Sequence, residues 1–484
     1  MAGLTGACPS IPRPFSTCAC SSLDNFPHCQ FAAGLFDGAW YVNASELASG
    51  LDTAADRALA HRAALEGIVL LQNNPSPAVG GARLLPLQGV GSTFRSVALL
   101  GPLAGCVAGE RSPCLAEQGM GGHYTQYGAR IVTLANALNG TGLAVTHLAG
   151  ASITTYNESG IAAAVAAATA SDITIVAVGD SIDINTGSCS EMSDADTVDL
   201  PGSQLALLDA LSATGRPLVV VLFNCRPATF GAGPFSRYGP NNALLERLPA
   251  VVAAWRPGEE AGAAVWALLT GAANPSGRLT QSWVRNVGAV KSPASPYNQV
   301  RGSLDKAFFT EPATPLFYFG HGLSYSNFTI TGVAISPSSG AVGPDDVLTI
   351  TGTAAVVGAG PSGDLTLHAY YAQDAPTKYS RFTKALCGFT RVTVPAGGGH
   401  APFSITIAVR DLDAFEPDTG DYEVYTGTYT ITVATDAGVA DAGLAAAPSA
   451  HVVTELTHGM GPPIATFKVA VNGTYTWTWD FTQG

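Results

Sequence analysis

Short, wholly apolar runs recur along the first two thirds of the chain and are separated by amphipathic segments. The clearest run, Ile173 to Val178, ends abruptly at Gly179-Asp180. An apolar run of this length that ends in glycine is typical of a strand buried on both faces, as in parallel α/β sheets. Four other runs have the same character, at residues 68–71, 97–100, 218–223 and 250–255. We therefore expect these runs to form one mostly parallel sheet.

Helices are predicted between these strands. Thr53 can cap a helix in which apolar residues recur every fourth position until Gly67 ends it. Apolar residues also share one face of the segments at 161–170, 205–211 and 258–271. This alternation of helices and buried strands predicts an α/β sandwich domain over residues 53–314. Residues 1–52 show no periodicity, and we expect an irregular N-terminal segment and linker there.

The pattern changes after Pro315, where apolar and polar residues alternate with a period of two. Such alternation, interrupted by Gly, Pro and Asp, predicts strands with one buried face. The predicted strands are 347–354, 364–371, 389–394, 403–409 and 428–434. Their number and spacing indicate a β-sandwich of the immunoglobulin or fibronectin type III-like kind. We assign it to residues 315–484, including a C-terminal extension.

The segment after the strand at Ile173 carries the best candidate chemistry. In parallel sheets, ligands bind beyond the carboxyl ends of the strands, which is where this polar loop begins. Clustered carboxylates and burial under a substrate can raise the pKa of a carboxylic acid enough for it to donate a proton near neutral pH. The acidic residues of the loop are Asp180, Asp183, Glu191, Asp194, Asp196 and Asp199.

Composition and charge narrow the possible functions. The 484-residue chain is 47% apolar and carries a net charge of −13, so it can bury a large core and repels phosphate backbones. We therefore expect no nucleic-acid partner. No apolar run reaches the length of about 18 residues that spans a bilayer, and no membrane association is expected. Motifs of nucleotide-binding proteins, serine hydrolases and zinc proteases do not occur, nor does any cysteine spacing typical of zinc. No cofactor and no metal are expected.

Cysteines and glycosylation sequons suggest an oxidising compartment. The chain has nine cysteines, which are better explained by disulfides than by a metal cluster. Five Asn-X-Ser/Thr sequons begin at Asn43, Asn139, Asn157, Asn327 and Asn472. An extracellular or secretory-pathway location follows from these features, although the N-terminus lacks the pattern of a signal peptide.

Several ordered motifs resemble glycoside hydrolase family 3. They are GLFDG (34–38), ALAHRAALEGIVLLQNN (58–74), VALLGPLAG (97–105), DLPGSQ (199–204), WRPGEEAGAAVWALLTGAANPSGRLTQSW (255–283), PLFYFGHGLSYSNF (315–328) and LCGFTRVTVPAGG (386–398). The last block is similar to the fibronectin type III-like domain of the same enzymes. The segments SPC (112–114) and GGHYTQYG (121–128) are closer to the β-xylosidase branch.

The resemblance implies a function and a set of site residues. Family members use a retaining mechanism with two carboxylates, one acting as nucleophile and one as general acid/base. Aligning the loop with the family pattern in two ways selects Glu191 as the acid/base both times. The resemblance implies that His123 and Tyr124 line a sugar subsite, and Asp180, at the end of the strand, is a candidate to contact a sugar hydroxyl. Other interpretations remain open: Glu191 as a solvated carboxylate, Asp180 as a cap of the loop, and His123-Tyr124 as an ordinary turn.

The same resemblance implies that the nucleophile lies on an N-terminal (β/α)8 barrel, which has no counterpart in this sequence. A first hypothesis is therefore an exo-acting β-xylosidase or β-glucosidase in xylan or cell-wall polysaccharide breakdown, completed by a barrel from a missing N-terminal region or from another chain. A second hypothesis is a non-catalytic homologue that binds carbohydrate or a partner chain. The sugar could be xylose, arabinose or glucose, since sugar contacts in the family come mainly from the barrel.

Overall fold

A computed structural model describes residues 50–107, 113–122, 130–180, 195–289, 314–343, 345–374, 384–416, 418, 420–438, 449–450, 464–471 and 475–477. Seven helices and eight strands occur among the described residues before Pro315. The helices are α1 Ala54–Gly67, α2 Leu115–Gly121, α3 Leu134–Leu138, α4 Ile161–Ala170, α5 Gln204–Ser212, α6 Ala243–Glu246 and α7 Ala261–Thr270. The strands are β1 Val69–Asn73, β2 Pro75–Ser76, β3 Ala82–Arg83, β4 Ser96–Leu100, β5 Ala144–Leu148, β6 Ile173–Gly179, β7 Leu218–Phe223 and β8 Ala250–Ala253.

Six of these strands form one sheet in the order β1-β8-β7-β6-β4-β5. Five of them run parallel, and only β1 pairs antiparallel, with β8. The mostly parallel sheet predicted from the apolar runs is therefore confirmed. Helices α4, α5 and α6 precede the parallel strands β6, β7 and β8 in the chain, as expected for crossover connections between parallel strands.

Both faces of the sheet are buried. Alternate residues of β6 contribute to two separate apolar clusters, with Ile175 in one and Val176 in the other. Helices α3 and α7 cover the first face, and helices α4, α5 and α6 cover the second. Full burial of each Val, Leu or Ile stabilises the fold by roughly 1.5–3 kcal/mol, so this three-layer core explains why the strands lack polar alternation.

The chain after Pro315 forms a β-sandwich, which confirms the second predicted fold class. Its strands are β9 Phe328–Ser336, β10 Ala341–Val342, β11 Val347–Val356, β12 Gly363–Gln373, β13 Ala385–Val394, β14 His400–Ala408, β17 Gly427–Ala434, β18 Ser449–Ala450 and β19 Ala465–Val471. One sheet has the order β10-β19-β17-β12-β13, with β18 also paired to β19, and the other has the order β14-β11-β9. A further three-stranded sheet consists of β15 Ala414–Glu416, β16 Asp421–Val424 and β20 Tyr475–Trp477.

Arg391 of β13 joins the sandwich to the α/β domain. Its guanidinium donates to Glu66 of α1 at 2.8 Å and to Asp364 of β12 at 2.6 Å. Asn274, which follows α7, donates to the Ser326 hydroxyl and accepts from the Ser324 hydroxyl and the Tyr325 N–H. The two domains are thus held together by a charged pair and by a hydrogen-bonded asparagine.

The sandwich contains an aspartate that should make its stability depend on pH. Burial and the neighbouring Asp411 raise the pKa of Asp413 to about 6. Because the folded-state pKa exceeds the unfolded value of about 3.9, the folded state binds the proton more tightly, and stability is lost as the pH rises from about 4 through 6.

We expect Asp413→Asn to stabilise the protein at pH 7.5, by less than about 1 kcal/mol because the side chain is largely solvent-screened. The gain should disappear near pH 3, well below the unfolded-state pKa of about 3.9, where the aspartate is largely protonated in both states. Urea unfolding at pH 7.5 and about pH 3 measures this difference. The exposed Asp345 provides a control, Asp345→Asn. A gain of equal size at both pH values would contradict the prediction.

No helix within the described ranges is long and apolar enough to cross a membrane.

Candidate functional site

The carboxyl ends of β6, β7 and β8 meet at one edge of the sheet. Gly179 pairs with Phe223, and Leu222 pairs with Ala253, so the residues that follow these strands leave the sheet side by side. They include Asp180 after β6, Asn224 after β7 and Arg256 beyond β8. The predicted location of candidate chemistry, beyond the carboxyl ends of parallel strands, thus contains charged and polar side chains.

Gly179 lets the chain leave β6 toward this edge. Its φ of +150° lies in a region that side-chain-bearing residues rarely adopt. A Cβ at this position would also overlap the carbonyl oxygen of Phe223 on the neighbouring strand. Glycine therefore allows the close approach of β6 to β7 and determines where Asp180 begins the loop.

Asp180 is buried, with 3% of its surface exposed, and it has partners on the segment after β7. Its Oδ1 lies 3.3 Å from Nη2 of Arg226, and its Oδ2 accepts the backbone N–H of Cys225 at 3.3 Å. The charge of Asp180 also attracts Arg256. A buried carboxylate needs such pairing because an unpaired buried charge is strongly destabilising, so Asp180 fastens the start of its loop to the segment after β7.

Gln204, at the start of α5, holds both ends of the loop that follows β6. Its side chain accepts the Gly179 N–H at 2.8 Å and donates to the Gly179 carbonyl at 2.8 Å. The same amide also donates to the carbonyl of Pro201 at 2.9 Å. Because Gln204 is fully buried, these bonds replace ladder partners that the backbone of Gly179 would otherwise lack.

Asp199 fixes the final part of the loop. Its carboxylate accepts the Thr229 hydroxyl at 2.5 Å and the backbone N–H groups of Gly231 and Ala232 at 3.0 Å each. A parallel β-bridge joins Asp199 to Thr229. Asp199, one of the six acidic residues of the loop, therefore has a structural role, which the sequence did not indicate.

Glu191, His123 and Tyr124 lie outside the described residues, as do Asp183 and Asp194. Their predicted roles remain predictions. The flanking residues are described: Asp180 and Ala195 on either side of the Glu191 segment, and Gly122 directly before His123. Of the four predicted site residues, the structure thus places Asp180 alone.

Comparison with known families decides the assignment. Residues 68–325 match the glycosyl hydrolase family 3 C-terminal domain, and residues 368–437 match the fibronectin type III-like domain. The first match covers more than half of the chain. The chain belongs to glycosyl hydrolase family 3. The resemblance inferred from the ordered sequence motifs is thereby confirmed.

Individual relatives are glycosidases of this family type. The chain is 28% identical over 410 residues to a β-xylosidase of Formosa agariphila, covering 84% of this chain and 52% of the relative. It is 29% identical to a periplasmic β-glucosidase of Salmonella typhimurium, covering 76% and 48%. A solved β-glucosidase from Erythrobacter marinus has a TM-score of 0.66 at 25% identity, over 84% of this chain and 52% of that one. The chain spans about half the length of the curated relatives that it matches.

Two arginines at this edge of the sheet were not among the predicted residues. Arg226 pairs with Asp180, and Arg256 donates from Nη1 to the carbonyl of Gly119 at 2.8 Å. Burial lowers the pKa of Arg256, and the attraction of Asp180 opposes this effect. Each arginine directly precedes a proline after a wholly apolar run. The position of a charged residue just after a buried strand was the signal that could have identified them.

A disulfide bond joins Cys106 to Cys114. Cys114 caps α2, and its N–H donates to the carboxylate of Glu117 at 2.8 Å. These three residues are also close enough together to suggest a metal site. Because both sulfurs are consumed by the disulfide, the cluster stabilises the start of α2 and offers no thiolate ligand.

Breaking this disulfide should destabilise the protein. The bond closes a loop between positions that are eight residues apart, and chain entropy predicts a contribution of about 2–3 kcal/mol for a loop of this size. We expect Cys106→Ser to lower the free energy of urea unfolding by that amount. The double variant Cys106→Ser/Cys114→Ser should cost little more, since the first substitution already removes the bond. Additive losses would contradict the prediction.

Proposed function

We propose that this chain forms the C-terminal α/β and fibronectin type III-like part of a retaining, exo-acting β-glycosidase. Its substrates are β-linked glycosides, preferentially xylosides of xylan or cell-wall polysaccharides. The single observation that carries the proposal is the family 3 match over residues 68–325, whose sheet edge carries the Asp180 and Gln204 contacts at the ends of the Glu191 loop. Relatives named as a β-xylosidase and a β-glucosidase support this substrate class.

In the proposed mechanism Glu191 is the general acid/base. It first protonates the leaving oxygen while a second carboxylate attacks the anomeric carbon and forms a glycosyl-enzyme intermediate. It then removes a proton from the water that hydrolyses this intermediate. The second carboxylate would come from a barrel domain outside this chain. His123 and Tyr124 contact the sugar in this proposal, and Asp180 orients Arg226 at the edge of the sugar site.

Hydrolysis of 4-nitrophenyl β-D-xyloside and β-D-glucoside by this chain together with the barrel domain that supplies the second carboxylate tests this proposal. We expect turnover of both, faster on the xyloside, with the β-anomer as first product in proton NMR of a xylobiose digest. Formation of the α-anomer would exclude a retaining mechanism. A faster reaction on the glucoside would overturn the xyloside preference and leave the reaction class intact.

A second candidate is non-catalytic carbohydrate or partner-chain binding. It is favoured by the coverage of the relatives, since the matched region is about half of each, and by the dependence of the mechanism on two carboxylates. Calorimetric binding of xylobiose or cellobiose without any hydrolysis would support this candidate over the first.

The proposal includes an extracellular or secretory-pathway glycoprotein. Among the described sequons, Asn139, Asn157 and Asn327 are exposed, as glycosylation requires. The Cys106–Cys114 disulfide favours an oxidising compartment. A loss of mass on treatment with a peptide N-glycosidase, after secretion from eukaryotic cells, would test it.

A further inference from the structure

Arg256 has a guanidinium with one end bound and the other end without a partner. Nη1 donates to the carbonyl of Gly119 at 2.8 Å. Nη2 is buried and finds no hydrogen-bond acceptor within the described part of the chain. A guanidinium carries five N–H donors in a fixed planar fork. Once Nη1 is held by Gly119, the direction in which Nη2 can donate is therefore also set.

A buried, charged donor without an acceptor, such as Nη2 of Arg256, is unusual because it is energetically unfavourable. Leaving a buried donor unsatisfied costs about 1–3 kcal/mol, and more for a charged group. Among the buried side-chain atoms without partners in the described ranges, Nη2 of Arg256 is the one that belongs to a permanently charged side chain. Native structures rarely keep such a cost without a compensating role, so an oxygen acceptor from outside the described chain is expected there.

The backbone that carries Arg256 is strained. Trp255 has a φ of +58°, a conformation that bulky residues rarely adopt and that typically costs 1–3 kcal/mol. Its ring packs edge-on against Trp283, with ring centroids 5.7 Å apart. This contact holds Trp255 in place, and the strained turn directs Arg256 toward Gly119 at the carboxyl edge of the sheet. Strain of this kind is concentrated at ligand-binding positions.

The described residues next to Arg256 at this edge include a second arginine, one buried carboxylate and little bulk. Asp180 is paired with Arg226, so Arg256 is the second cation beside one buried carboxylate. Gly122 presents no side chain toward it, and a Cβ there would lie 3.2 Å from Cδ of Arg256. The next strand end contributes Asn224, a fully buried residue whose Oδ1 also has no donor among the described residues.

We propose that Arg256 is a sugar-binding residue, whose Nη2 donates a hydrogen bond to a hydroxyl oxygen of the β-linked glycoside at the carboxyl edge of the sheet. This inference rests on the proposed glycoside substrate and adds a residue that recognises it. The Nη1 bond to Gly119 holds the fork in position before the sugar arrives, which lowers the entropic cost of binding. The acceptor is a neutral sugar hydroxyl. Because the guanidinium is charged, its hydrogen bond to this hydroxyl is stronger than a bond between two neutral groups.

Calorimetry with S-linked xylobiose and S-linked cellobiose, which resist hydrolysis, tests the proposal on this chain together with the barrel domain. We expect Arg256→Gln to weaken binding by about ten- to a hundredfold, the loss of one charge-assisted hydrogen bond. Arg256→Lys keeps the charge but not the fork and should recover part of the affinity. The exposed Arg247 provides a matched control, and Arg247→Gln should change the dissociation constant by less than twofold.

The same measurements separate the alternatives. If Arg256 only anchors the Gly119 carbonyl, Arg256→Gln will lower the melting temperature and leave the dissociation constant within twofold, which would overturn the inference. If Arg256→Gln does not fold, Arg256→Lys decides, with at least fivefold weaker binding expected. If the unsubstituted protein, with the barrel domain present, binds neither disaccharide, the glycoside proposal falls together with this one. If it binds both and the arginine variants bind equally well, only the role of Arg256 is refuted.

Discussion

In the enzyme that combines this chain with the barrel domain, we expect Glu191→Gln to lower kcat for the hydrolysis of xylobiose by about 10²- to 10⁴-fold, the range typical for removing a general acid/base. Glutamine has nearly the same shape but can neither protonate the leaving oxygen nor deprotonate the attacking water. Glu191 is also the only glutamate between Glu158 and Glu246. No other glutamate of the loop can replace it.

Two further measurements identify the role of Glu191. A 4-nitrophenolate leaving group needs little protonation, so formation of the glycosyl-enzyme should slow much less with the aryl xyloside than with xylobiose. Azide needs no base when it attacks the intermediate, and it should restore turnover of the aryl substrate as the glycosyl azide. The control Glu158→Gln alters an exposed glutamate that pairs with Arg237 and should leave kcat nearly unchanged. Equal losses on both substrates without azide rescue would exclude the acid/base role.

Local patterns predict much of this fold because both sheet faces are buried. The wholly apolar runs at 173–178 and 218–223 became β6 and β7, since parallel strands under two helix layers tolerate no polar alternation. Strand β5 was not predicted, because it lies at the edge of the sheet and its residues Ala144, Val145 and Thr146 are exposed. The antiparallel direction of β1 also could not be predicted, since it depends on pairing with β8, far away in the sequence.

Part of the candidate site can be predicted from the sequence, by looking for charged or polar residues directly after the predicted strands. Asp180 was identified because it follows a buried strand directly. Arg256 was not, because its partner Gly119 is 137 residues away and belongs to a different layer of the fold. Its importance depends on which of its donors remains unpaired, and tertiary packing alone decides that. Sequence patterns thus indicate where a site lies, and long-range contacts determine which side chains complete it.

Gln204 is the long-range contact with the greatest structural consequence for the proposed acid/base. In sequence it is one residue of DLPGSQ, and nothing in its spacing indicates burial. In the structure its amide bonds to both backbone groups of Gly179 and to the carbonyl of Pro201. The loop that contains Glu191 therefore begins and ends at backbone groups held by one side chain. A shift of these ends would therefore also displace Glu191, the proposed acid/base. A displacement of about 1 Å in a catalytic group can lower the reaction rate substantially.

We expect Gln204→Leu to lower the free energy of unfolding by about 2–5 kcal/mol, because it leaves the buried N–H and C=O of Gly179 without partners. The volume of the side chain is nearly conserved, so a cavity contributes little. Urea unfolding measures the loss, and Gln88→Leu, at an exposed glutamine, should change stability by less than about 0.5 kcal/mol. If Gln204 also positions the loop, kcat of the folded variant will fall while the affinity for S-linked xylobiose changes little, because Arg256 is anchored to Gly119 independently of Gln204. A loss below 1 kcal/mol would show that water satisfies the Gly179 backbone in the variant and that the loop ends do not depend on Gln204.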